Sequence, residues 1–303
     1  MSQAHDTTRE TVSLGALRSE IDSIDDALHD LLMRRAELAE FVRLAKRDED
    51  GKDATYLRPG REAAVLRRLM ARHSGRFPRR VLVRLWREIF SVSLAMQNRM
   101  TLAVWMPERG AAFLEIAHNQ YGSFTTASLH QSMEQVIREV SERRATLGIL
   151  PLPETGDRLA WWPLLATAAP DTPRVIARLP MAGTQGTPEA LVIAIMPPEA
   201  DDCTDRTLLA LEHDPALHPD RVLEHVTRAG VPVRGILDAR TDPAGCARIL
   251  LEVDGAFHNT DARLEALETV SASSGPYAVR RVCLIGSYAR PFTDAELDPD
   301  GLP

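Results

Sequence analysis

Cysteine is scarce in this sequence and long apolar runs are missing. The three cysteines, Cys203, Cys246 and Cys283, lie far apart. An odd, scattered set argues against a disulfide framework and predicts buried thiols. No stretch approaches the roughly 20 apolar residues of a membrane-spanning helix, so no membrane partner is expected. The opening MSQAHDTTRETV is polar and carries acids, unlike a secretory or transit signal; residues 1–12 are expected to be a disordered leader on a cytoplasmic protein. Strong basicity is lacking as well, the formal net charge being −7. The charge is uneven. Residues 1–100 carry 19 Lys and Arg against 15 Asp and Glu, and the remainder carries 17 against 28. A mildly basic front suits an anionic small molecule. The acidic total and the absence of a recognition motif leave the basic stretch RFPRRVLVRLWR without a case for nucleic acid.

What is present points to several compact units, as 303 residues predict. Residues 14–47 read as one long helix. Leu14, Leu17, Ile21, Ile24, Leu28, Leu31, Leu38, Val42 and Ala45 recur at alternating steps of three and four, the seam of a helix packed along its length on others. KRDEDGKDATYLRPG reads as a polar loop ending in a Pro-Gly turn. A second helix is predicted from about Arg61 to His73. A third is predicted from about Pro78 to Met100, with Val81, Leu85, Ile89, Val92 and Met96 inward. From Thr101 strands and helices alternate: LAVWM, AAFLEIAHNQYG, SMEQVIREVSERR, LGILPLP, PRVIARLPM and EALVIAIMP, a short α/β unit. Residues 207–292 read strand–helix–strand–strand–helix–strand, the split βαβ order of ferredoxin-like domains. The tail TDAELDPDGLP is expected to fray.

Some polar residues sit where the helices do not want them. Arg35 interrupts the apolar seam, and a guanidinium there is costly unless an anion meets it. Lys46 follows eleven residues later, within roughly 20° of the same face. Two cations on one inward face suggest an anion site in a bundle; alternatively both snorkel to solvent. Arg18 lies about 25 Å from Arg35 by helical rise. Either it is a surface residue, or a second antiparallel copy of the helix brings it to the site. Ser93 and Gln97 form an i, i+4 pair on the third helix. Glu62 follows Arg61 in the first turn of the second helix, where an acid also suits the helix dipole.

LGALRSEIDSIDDALHDLLMRRAELAEFVRLAK, YLRPGREAAVLRRL and LWREIFSVSLAMQ together closely resemble the all-helical chorismate mutase domain, which also forms the front of bifunctional chorismate mutase–prephenate dehydratases. The resemblance covers about residues 14–97. It maps the family's polar positions onto Arg18, Arg35, Lys46, Arg61-Glu62, Ser93 and Gln97. Some members carry an Asp three residues before the Arg-Glu pair; Arg58 stands there, at a position whose contact is mainly backbone. The resemblance implies an intertwined homodimer in which Arg18 crosses to the partner's site. It implies rearrangement of chorismate to prephenate in aromatic amino-acid biosynthesis, with no cofactor and no metal. Arg18 and Arg35 would bind the carboxylates. Lys46 and Gln97 would donate to the ether oxygen, Glu62 would accept from the ring hydroxyl, and Ser93 would position a carboxylate or hydroxyl. Arg61 is assigned a structural role.

The rear resembles a reduced prephenate dehydratase, a periplasmic-binding-like α/β lobe, followed by a ferredoxin-like regulatory domain of the ACT type. The implied boundaries are 13–100 for the helical domain, 101–204 for the lobe, 205–293 for the ACT-like domain and 294–303 for the polar tail. LGILPLPETG lacks the Glu-Asn-Ser that normally ends this strand. Thr172-Pro173-Arg174 only echoes the family's Thr-Arg-Phe. LIGSYARP matches the ending of dehydratase-linked ACT domains, while ILDAR replaces their effector motif. Dehydratase activity is therefore not expected. An amino-acid effector site or a purely scaffolding role stays open for the last domain. The readings left beside the mutase are a working bifunctional enzyme and a non-catalytic partner of another aromatic-pathway enzyme.

Overall fold

A seam without proline, and without glycine beyond Gly15, should give one uninterrupted helix. In the computed structural model this helix, α1 (Leu14–Asp50), runs for 37 residues, about 55 Å of rise. It continues into the stretch expected as loop. The structure describes residues 13–50, 56–107, 110–156, 160–167, 169, 171–184, 186–196, 205–273 and 279–299, without the side chains of 46–50 and 268–273. The expected leader and Cys203 lie outside the described residues. Ser13 starts α1: its Oγ accepts from the Ala16 amide at 3.2 Å and its carbonyl from Leu17 at 3.1 Å. α1 forms a unit by itself. Its seam is uncovered. Leu17, Ile21, Ile24, Leu28, Leu31 and Leu38 are all exposed, Leu31 at 67%. Helices in proteins owe most of their stability to burying such a face, so this one calls for another surface.

The second unit begins at Thr55. α2 (Pro59–Arg72) takes Pro59 in its first turn, where the missing N–H costs nothing. It buries Ala63, Leu66 and Met70. α3 (Arg79–Gln97) buries Val83, Arg87, Phe90 and Ser91. This corrects the expected orientation. Val81, Leu85, Val92 and Met96 are exposed, because α3 turns its opposite face to α2 and to the helix α4 (Ala112–Tyr121).

β1 (Thr101–Trp105) is the centre of a small parallel set. It pairs in parallel with β2 (Thr126–His130) after α4, and with β3 (Leu147–Pro151) after α5 (Met133–Ser141). β2 was not expected from the sequence; it is a largely exposed edge strand. β4 (Arg174–Leu179) and β5 (Ala190–Ala194) are antiparallel, and β5 also pairs antiparallel with β3. The remaining elements are β6 (Arg206–His213), α6 (Pro219–Arg228), β7 (Val233–Thr241), β8 (Ala247–Asp254), α7 (Ala262–Ser273) and β9 (Val279–Tyr288). Their strands lie in the order β9-β6-β8-β7 and pair antiparallel, the ferredoxin-like arrangement that the split βαβ reading predicts. Val222 and Val226 of α6 and Leu264 and Leu267 of α7 cover one face of these strands. Trp161 and Trp162, just after β3, lie in the core against Leu208, Ala210 and Leu250.

The two strand groups are continuous, in the order β2-β1-β3-β5-β4-β9-β6-β8-β7. The join is the parallel pairing of Val175 on β4 with Gly286 on β9. Gly286 has φ +152°, and a Cβ there would lie 2.1 Å from the Val175 carbonyl oxygen. Only glycine permits that approach.

The described part of the expected frayed tail, through residue 299, is packed instead. α8 (Asp294–Leu297) opens with a capping box between Thr293 and Glu296 and buries Leu297. Leu297, Phe292 and Ala289 share a cluster with Leu66, Met70, Val83 and Phe90 of α2 and α3. Arg80 of α3 reaches Asp298 at 2.7 Å and Asp294 at 2.6 Å, and Arg67 of α2 pairs with Asp205. These groups supply the binding surface that a short polar segment lacks by itself.

Gly286→Ala should destabilise the second unit by about 3 kcal/mol or more, the upper end for overpacking, because backbone must move to admit the methyl. A denaturation midpoint equal to that of the parent would contradict the described junction.

Candidate active site

The site residues expected from sequence fall on both units. On α1, Arg18 is exposed and Arg35 is half-buried. Lys46 belongs to the same helix, but its side chain lies outside the described residues. Arg35 follows Arg18 by 17 positions, which is about 25 Å of helical rise.

In the second unit Arg58 is the N-cap residue of α2; its side chain is exposed and its carbonyl accepts from the Glu62 amide at 3.0 Å. Arg61 is exposed. Glu62 turns inward. Its Oε2 accepts from Arg87 Nη1 of α3 at 2.7 Å, and the two side chains are 13% and 6% exposed. Tyr121, at the end of α4, completes a buried polar cluster with them. Burial, and secondarily the charge of Glu62, push its phenol pKa upward. Burial pulls the Arg87 guanidinium downward and Glu62 opposes that shift. Among the described residues neither Tyr121 Oη nor Arg87 Nε has a hydrogen-bond partner, so the cluster retains buried donor capacity.

Ser93 donates its Oγ to the Ile89 carbonyl at 2.8 Å. Gln97 is the last residue of α3 and half-buried. At 100° per residue, Ser93 and Gln97 lie between the exposed Val81–Met96 stripe and the buried Val83–Phe90 face. The second unit thus joins Glu62 to α3, with Ser93 and Gln97 bordering the uncovered stripe. Arg87 and Tyr121 were missed by sequence reasoning. An Arg at the i+4 position from Val83 and three before Phe90 was the available signal, since that spacing marks a buried face.

The rear motif remnants are engaged structurally. Arg174 donates to the carbonyls of Leu284 at 2.6 Å, Thr167 at 2.7 Å and Leu165 at 3.1 Å. It thereby ties the turn after Trp162 to β9. Asp238, in the ILDAR segment, is fully buried; it accepts from Trp162 Nε1 at 2.7 Å and from Arg240 Nε at 2.6 Å. Among the described residues no group of three or more His, Cys, Asp or Glu could hold a metal ion. No described helix is long and apolar enough to cross a membrane.

Comparison with known proteins gives a family match for the front of the chain. The chorismate mutase type II family matches residues 17–98. The bifunctional chorismate mutase/prephenate dehydratase of Pseudomonas aeruginosa is 32% identical over 141 residues, which cover 46% of this chain and 38% of that protein. The chain thus spans well under half the length of this relative. Two solved structures share looser likeness. GqqA, described as a novel type of quorum quenching acylase, aligns at TM-score 0.46 and 16% identity, covering 67% of this chain and 98% of that one. The prephenate dehydratase of Arthrobacter aurescens in complex with L-Phe aligns at TM-score 0.45 and 15% identity, covering 66% and 95%. The match to the chorismate mutase type II family thus takes in α2, α3 and most of α1.

Proposed function

We propose that the chain rearranges chorismate to prephenate and works as a homodimer. The observation that carries this is the family match over residues 17–98, within which the sequence resemblance maps Arg18, Arg35, Lys46, Glu62, Ser93 and Gln97 onto the family's polar positions. The reaction is intramolecular. Its barrier falls when a flexible dianion is held compactly and when charge on the breaking ether bond meets fixed donors. Arg35, and Arg18 from the partner chain, bind the carboxylates through planar forks. Lys46 and Gln97 donate to the ether oxygen, an interaction that strengthens as the C–O bond breaks. Glu62 accepts from the ring hydroxyl. A carboxylate can accept several donors at once, so its bond to Arg87 is compatible with that role and fixes its orientation. Ser93 positions the substrate, and Arg58 contributes through its backbone.

Two uncovered stripes support the dimer reading. α1 exposes its seam, and α3 exposes Val81, Leu85, Val92 and Met96. A second copy of the chain is the occupant that would bury both, and it would deliver Arg18 to a site that its own Arg35 cannot share. We read the β6–β9 domain as an ACT-type scaffold. The bonds among Asp238, Trp162 and Arg240 favour that role over an effector site in the ILDAR segment. The second reading, a bifunctional enzyme, is favoured by the name of the Pseudomonas aeruginosa relative. The engagement of Arg174 with three carbonyls counts against it.

Purified protein given chorismate should form prephenate, and Arg35→Ala or Lys46→Ala should lower turnover at least about a hundredfold, the scale for losing one preorganised donor. Near-normal turnover in either variant would remove these assignments. Arg18→Ala and Lys46→Ala chains, each nearly inactive alone, should regain about a quarter of parental activity when refolded together in equal amounts, because half of the dimers then hold one intact site. No recovery would place Arg18 outside the partner's site. Given prephenate, the protein should release no carbon dioxide; release of phenylpyruvate would establish the bifunctional reading instead.

A further inference from the structure

α3 carries Arg80, Arg84 and Arg87 at i, i+4 and i+7 on the flank away from Ser93 and Gln97. This flank faces a cleft of about 660 Å³, walled by α3, by α4 and by the connection from β4 to β5. The three arginines differ in what they already hold. Arg80 is committed to Asp294, Asp298 and the Gly183 carbonyl. Arg87 gives Nη1 to Glu62, and its buried Nε has no partner among the described residues. Arg84 is exposed, with no hydrogen-bond or ion-pair partner among the described residues.

Across the cleft, α4 presents Glu115, likewise exposed and without an ion pair among the described residues. Arg84 and Glu115 line the same cavity without neutralising each other. Gln120 sharpens this. It is only 9% exposed and lines the cleft, and its amide has no hydrogen-bond partner among the described residues. Between these polar groups the wall is apolar, with Val83, Ile116 and Met181.

We propose that this cleft binds a small zwitterion with an apolar body, of the α-amino-acid type. Its carboxylate meets Arg84 and the amide of Gln120, its ammonium meets Glu115, and its side chain lies on Ile116 and Met181. Glu62 does not line this cleft, and the proposal does not depend on the mutase reaction. The cleft is also distinct from the β6–β9 strands, none of which lines the cavity.

The test is titration calorimetry on the full chain with L-leucine, L-methionine and L-phenylalanine, followed by 3-phenylpropionate and 2-phenylethylamine, which lack the ammonium and the carboxylate respectively. At least one amino acid should bind saturably. Arg84→Gln and Glu115→Gln, both at exposed positions, should each weaken it about tenfold or more, as expected for losing a charge-assisted hydrogen bond, while thermal melting stays at the parental value. The two truncated probes should show matching selectivity: 3-phenylpropionate insensitive to Glu115→Gln and 2-phenylethylamine insensitive to Arg84→Gln, each weaker than L-phenylalanine. Absence of saturable binding by all three amino acids would overturn the proposal. So would binding that survives both substitutions, which would locate it elsewhere.

Discussion

Val175 and Gly286 meet backbone to backbone, and the continuity of the nine strands rests on that meeting. A residue with a side chain at position 286 would push β9 away from β4 and leave two edges facing each other. Unpaired edges must be covered or paired, and each strand group has a neighbour that answers this need. The turn after Trp162 reinforces the same seam from one face, where Arg174 collects three carbonyls from both sides. The indole of Trp162 reaches Asp238 on the far edge strand. Arg174 is thus part of the framework that joins the two strand groups.

Charge is spent in the same way along the interface with α2 and α3. The buried pair of Glu62 and Arg87 is costly to desolvate and more costly to break, about 3–5 kcal/mol when one partner is removed. Its value is geometric. It fixes an acid that would otherwise sample several rotamers near a helix start. At the sheet junction, Arg178 holds Glu189 and Glu252 at 2.9 Å each, and the Tyr288 hydroxyl donates to Glu252. Buried ionic groups at both sites are paired, as their desolvation requires.

The sequence made local periodicity visible and left partner choice obscure. The seam of α1 and the strand–helix order of β6 to β9 were legible because each depends on spacing within one element. β2 was missed because TASLH is mostly exposed and lacks the apolar alternation of a half-buried strand. The orientation of α3 was misread for a different reason: it has two apolar faces, and only packing against α2 and α4 decides which one this chain buries itself. The segment from Thr293 to Asp298 looked polar enough to fray because Arg79 and Arg80, which hold the Glu296 carbonyl and the carboxylates of Asp294 and Asp298, are far away in sequence. Of the candidate site, the types and spacings of Arg18, Arg35, Lys46, Glu62, Ser93 and Gln97 were readable. The buried cluster with Arg87 and Tyr121 was not, since it joins three helices.

The docking of α8 on α2 and α3 has a kinetic side. Arg80 and Asp298 are separated by more than 200 positions, yet Val83, Phe90 and Leu297 share one core cluster. Contacts of that sequence separation carry a loop-closure cost that local helix pairs do not. The helices bearing Glu62, Ser93 and Gln97 can coil early, but their core is completed only when the far segment arrives. An otherwise simple helical hairpin therefore inherits the slow, high-contact-order folding of the sheet it rests on.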